Sequence, residues 1–143
     1  MQANVAGIVL AAAFTVGAGG CGSRQYDVTG KVTYNGAALD KPDGQIIFIG
    51  PARQQVAAPI SADGRYHASG VWPGENKVVV YYPNPRLIAR KAGPKRKPGE
   101  QPSPPESPFL TPAKYGTADT TDLSLTVEKE TEFNVDLVGP PIR

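Results

Sequence analysis

The chain has 143 residues, 40% of them hydrophobic, with fifteen basic and thirteen acidic side chains and a formal charge of +2. That length suits one domain with a core of useful size and leaves little room for a second. The single cysteine excludes any intramolecular disulfide.

Residues 1–20 carry no charged side chain. A polar lead is followed by an apolar run at 5–16 and then by Gly17, Ala18, Gly19 and Gly20. Twelve apolar residues are too few to span a bilayer as a helix, but they suit the hydrophobic region of a signal peptide. Small residues ahead of Cys21 suit a signal peptidase, whose pocket admits little side chain. The expected division is a signal peptide at 1–20, a tether at 21–25, a folded domain at 26–138 and a tail at 139–143. Cys21 and the small residues before it resemble a bacterial lipobox, in which the cysteine is acylated and becomes the new N-terminus. Ala18 stands where that motif usually has Leu, and the leader lacks the usual Lys or Arg. The alternative is an ordinary cleavage site that leaves a free thiol. Acylation at Cys21 implies lasting membrane attachment, because two or three acyl chains hold a protein where one binds reversibly.

Past the tether, Tyr26, Val28, Val32 and Tyr34 recur at every second residue with Gly30 in phase, the period of a half-buried strand. Asn35-Gly36 ends that strand with a strong hairpin signal. After a second turn at Pro42-Asp43-Gly44, residues 45–49 read as a strand covered on both faces. Residues 56–60 read as a weaker strand that Pro59 demotes to an edge. Asp63-Gly64 turns the chain into a short strand at 65–69. Gly70 and Pro73-Gly74 turn it again into a β-rich, largely buried run at 77–82. These two strands are expected to form the central pair.

Nine prolines then fall within 83–112, among Lys, Arg, Gly, Ser and Glu. Such a segment has little to bury and lacks backbone donors, so it reads as an extended or disordered insertion. Six cations, Arg86, Arg90, Lys91, Lys95, Arg96 and Lys97, stand here without an acid between them. The rest of the chain holds nine basic against thirteen acidic residues, so a mildly acidic body carries one basic loop. Alternation at 123–127 and again at 133–137, with a turn at 128–131, predicts a terminal antiparallel hairpin. About seven strands and no mature helix add up to an all-β antiparallel sandwich.

The segments Val28-Thr29-Gly30-Lys31-Val32, Asn35-Gly36-Ala37-Ala38-Leu39, Asp63-Gly64-Arg65-Tyr66 and Gly70-Val71-Trp72-Pro73-Gly74, followed by Lys77-Val78-Val79-Val80, resemble the carboxypeptidase regulatory-like domain. Pro112-Ala113-Lys114-Tyr115 and the last two strands are similar to the small envelope lipoproteins of planctomycete bacteria built on that module. The resemblance implies a seven-stranded transthyretin-like (prealbumin-like) sandwich, an extracytoplasmic setting and no catalytic residues. It implies nothing for the basic insertion.

The chemistry-bearing residues are few. His67 is the only histidine and has no Cys partner, so neither a zinc site nor another metal or cofactor is expected. A Ser–His–Asp site would need His67 as its base without any local signature. Asp40, Asp43 and Asp63 sit in turns and lack calcium-loop spacing. Trp72, between two strands, reads either as packing over one end of the fold or as a platform for sugar stacking. The six cations read either as a solvated loop without a partner or as a contact for anionic lipid or acidic envelope polymer. They do not suit nucleic acid, because no aromatics are interleaved. The expected function is a non-enzymatic, lipid-anchored cell-envelope protein with a structural or interaction role. The alternative is a secreted or periplasmic carbohydrate-binding module using Trp72 and the tyrosines.

Overall fold

The computed structural model describes residues 22–90, 99 and 106–142. The leader, Cys21 and residues 91–97, with Lys91, Lys95, Arg96 and Lys97, lie outside the described residues.

The described residues form an all-β domain, with eight strands in two four-stranded sheets. Strand β1 (Tyr26–Tyr34) lies between β4 (Arg65–Val71) on one side and the short β7 (Thr131–Glu132) and β8 (Val135–Leu137) on the other. The second sheet has the order β3 (Gln55–Pro59), β2 (Gln45–Ile49), β5 (Gly74–Tyr81), β6 (Ser124–Val127). The period-two pattern of β1 places Val28, Val32 and Tyr34 inside while Thr29 and Lys31 face solvent. Ile46, Phe48, Val78 and Val80 of the second sheet meet Val28, Val32, Ala68 and Leu137 of the first in one core. Across it the rings of Phe48 and Tyr66 stand 6.1 Å apart. Each large apolar side chain so buried contributes about 1.5–3 kcal/mol.

The turns fall where the small residues require them. Asn35 and Gly36 take φ values of 49° and 83°, which is the primed geometry that matches strand twist. Pro59 closes β3, which is an edge strand, so its missing donor interrupts no ladder.

Four expectations need correction. The segments at 65–69 and 77–82 do not pair with each other: β4 bonds to β1 and β5 to β2, in different sheets. The terminal hairpin is absent too, because β6 pairs antiparallel with β5 whereas β7 and β8 pair with β1. That second pairing is parallel, so the first sheet is mixed. The cause is direction: β6 ends at the end of the fold where β1 begins, so the returning chain runs alongside β1. The strand count rises to eight because the last strand breaks at Phe133-Asn134. Phe133 donates its N–H to the Thr29 carbonyl (2.8 Å) and accepts from the Tyr66 hydroxyl at its own carbonyl (2.5 Å). The Asn134 side chain then accepts the Lys31 N–H (2.8 Å) in place of a backbone carbonyl. The fourth correction is a short helix α1, Pro85–Arg90, inside the proline-rich segment. Proline at its first position loses no bond there, and Asn84 Oδ1 accepts the Arg86 N–H at 3.1 Å.

Two buried phenols carry a measurable consequence. Burial pushes Tyr82 up to about 12. Burial also raises Tyr66, with the charge of Glu132 adding to it. Both are held neutral by the fold, so their contribution is intact below the unfolded value near pH 10 and is lost as pH rises beyond it. The Tyr82 hydroxyl is fully buried and makes no hydrogen bond among the described residues. Tyr82→Phe is therefore expected to raise stability by about 1 kcal/mol and to flatten the alkaline loss. Urea midpoints between pH 7 and pH 12 measure both effects.

Candidate functional site

The strand directions give the fold two distinct ends. At one end the tether enters β1 beside Val71, which pairs with Tyr26. The β2–β3 and β4–β5 turns gather at that same end. Gln25 Oε1 stands 3.1 Å from where a Cβ on Gly70 would lie, so the tether runs along the last residues of β4. At the other end lie the Asn35-Gly36 turn, the Asp63-Gly64 turn and the start of the insertion after Tyr81. A small stem holds the insertion there: Leu110 donates to the Tyr82 carbonyl (2.8 Å), and Asn84 donates to that of Pro108 (2.9 Å). Phe109 packs its ring 5.3 Å from that of Tyr81. Thr111 and Tyr115 are buried.

The outward face of the first sheet is polar throughout. A groove of about 580 Å³ crosses it, lined among others by Lys31, Thr33, Arg65, Glu132, Asn134 and Asp136. Two cations and two carboxylates share it, so it offers no single sign of charge. The Asp136 carboxylate accepts from Thr33 Oγ1 (2.7 Å) and from the Gly36 N–H (2.9 Å). Those two bonds hold it below the usual carboxylate range. This groove was not foreseen, since it forms from four strands whose pairing the alternation leaves undetermined.

Beside the groove the fold brings Asp27, His67 and Ser69 together. His67 Nε2 lies 3.1 Å from Asp27 Oδ2 and 3.3 Å from Ser69 Oγ. A catalytic triad needs the carboxylate on one ring nitrogen and the hydroxyl on the other. Here both partners compete for the same nitrogen, and the His67 side chain is 58% exposed. The cluster lacks the geometry of a triad. Among the described residues no group of three His, Cys, Asp or Glu is placed to hold a metal ion.

Of the sequence-predicted site residues, Arg86 is exposed on α1, and Arg90 is the last residue of that helix. Trp72 is half-buried in the β4–β5 turn, at the tether end and away from both Arg86 and the groove. Of the six tyrosines, Tyr34, Tyr66, Tyr82 and Tyr115 are buried and offer no ring to a ligand. No described helix is long and apolar enough to cross a membrane.

No family model and no curated protein matches the chain. Among solved structures it is similar to a DUF3823 family protein from Bacteroides ovatus, with 16% identity and a TM-score of 0.44, over 80% of this chain and 44% of that one. A second, from Parabacteroides merdae, has 15% identity and a TM-score of 0.45 over 81% of this chain and 47% of that one. The chain spans less than half the length of these proteins.

Proposed function

We propose that the chain is a non-enzymatic envelope module, held on a bacterial membrane through acylated Cys21 and built on a transthyretin-like sandwich of the carboxypeptidase regulatory-like kind. One observation carries the reading: the tether and the basic insertion leave the fold at opposite ends of β1. Nine residues of strand separate those ends by about 27 Å. That is more than three Debye lengths of about 8 Å at physiological salt, too far for the anchoring leaflet's headgroups to attract charges at the insertion's base. The insertion begins at the end of the fold away from the tether, with Arg86 exposed on α1, and the charge of its six cations, Arg86, Arg90, Lys91, Lys95, Arg96 and Lys97, makes acidic envelope polymer the fitting partner. The competition of Asp27 and Ser69 for one nitrogen of His67 supports a role without catalysis.

The test is to replace 86–105 with a short Gly-Ser link. The Asn84–Pro108 and Tyr82–Leu110 bonds bring the ends of the insertion together without it. Loop length changes closure entropy slowly, so stability is expected to shift by less than about 1 kcal/mol. Retention on a carboxylated polysaccharide resin at low salt is expected to fall to background. Undiminished retention removes the insertion from the function.

A further inference from the structure

The end of the fold that carries the tether has the makings of a membrane-resting surface. Trp72 and Pro73 form the β4–β5 turn, with Gly50-Pro51 of the β2–β3 turn lying beside Trp72 and Gly74. Pro51 Cγ stands 3.2 Å from where a Cβ on Gly74 would lie, and the Trp72 Cβ stands 3.3 Å from the same point on Gly50. Beneath the turn, the fully buried Asn76 donates both protons of its amide, to the Trp72 carbonyl (2.8 Å) and the Gly74 carbonyl (2.9 Å). The backbone that carries the indole is therefore fixed, and Trp72 is half-buried.

Reach decides what can touch this end. From Cys21 to Gln25 an extended chain covers at most about 14 Å, roughly half the length of β1. A bilayer that holds Cys21 can thus meet the tether end of an upright domain but not the far end. A domain lying on its side would press one sheet against the lipid. The outer face of the first sheet carries Lys31, Arg65, His67 and Glu132, all exposed, and the outer face of the second carries Gln55, Glu75 and Lys77, exposed as well. The tether end offers Trp72 as an amphipathic aromatic at a site the anchor can reach.

We infer that the domain stands with this end on the bilayer, the Trp72 indole seated at headgroup level. This rests on the reading of Cys21 as the anchor. Indole suits that layer because its ring is apolar and its N–H finds water or phosphate there. Charge is not the attraction. Arg24, Arg53 and Lys129 are exposed at this end, and so are Glu75, Glu128 and Glu130. The contact should therefore form equally on zwitterionic and anionic lipid and persist at high salt.

Trp72 is the only tryptophan, so the emission of the whole protein reports its position. The full-length product is recovered from membranes, its mass is measured, and it is reconstituted into phosphatidylcholine vesicles containing brominated lipid. The expected result is a blue-shifted emission that loses most of its intensity to the lipid-borne bromine and is shielded from aqueous acrylamide, at low and high salt alike. The soluble Cys21→Ala chain should emit further to the red and be quenched by acrylamide. A chain bearing acyl groups on Cys21 whose Trp72 ignores the brominated lipid overturns this orientation and leaves the anchor standing. A chain without acyl groups overturns the anchor, and the orientation falls with it.

Discussion

Gly30→Ala is expected to cost about 4 kcal/mol, combining overpacking with the loss of buried hydrogen bonds. A Cβ at position 30 would fall on the Phe133 carbonyl oxygen and 3.0 Å from the Tyr66 hydroxyl. Backbone cannot step aside as a side-chain tip can, so the Phe133 segment must move. Moving it loosens the Tyr66-to-Phe133 bond, which ties the β7–β8 return to β4, and the Phe133-to-Thr29 bond, which ties it to β1. A domain of this size has about 5–15 kcal/mol in total, so the variant should lose a large share of its stability. Urea unfolding followed by far-ultraviolet circular dichroism reads the loss. A cost below about 1 kcal/mol would mean that the return does not lie against Gly30.

The second large effect is a contrast between two turn glycines. Gly36 and Gly64 have nearly equal φ values, +83° and +85°, so an added methyl meets the same left-handed penalty of about 1–2 kcal/mol at each. Their surroundings differ. Nothing lies within 4 Å of a Cβ at Gly36, whereas at Gly64 the Val32 carbonyl oxygen is 2.3 Å away. That carbonyl belongs to β1, and the Val32 N–H donates to the Gly64 carbonyl at 2.8 Å. Gly36→Ala should cost about 1 kcal/mol and Gly64→Ala about 4 kcal/mol, the difference being the clash and the damaged bond. Equal costs would mean that conformational strain alone governs both turns.

How far the chain could be read in advance follows from what each signal measures. Alternation in β1 reports which face is buried, and Val28, Val32 and Tyr34 are indeed inside. Asn35-Gly36 and Asp63-Gly64 are local chemistry, so both turns were legible. Pro59 marked an edge because a missing donor is tolerated only there. Pairing is another matter. Leu125 and Val127 alternate as Val135 and Leu137 do, yet one pair extends β5 and the other lies along β1. A period of two identifies a buried face without naming the neighbouring strand. The groove was hidden for the same reason, since Lys31, Arg65 and Glu132 come from three different strands. Proline density concealed α1, whose start at Asn84-Pro85 is a local capping signal inside a segment dominated by helix breakers. It also concealed that Leu110 and Thr111 pack as part of the domain.

The anchor is the claim on which the rest of the functional account depends. Intact mass of the mature chain, with membrane fractionation of native protein and Cys21→Ala, tests it most directly. The account predicts a chain that begins at Cys21, is heavier by its acyl groups, and is found with the membrane only when Cys21 is present. A soluble, unmodified chain would contradict it and would make the protein a secreted or periplasmic module.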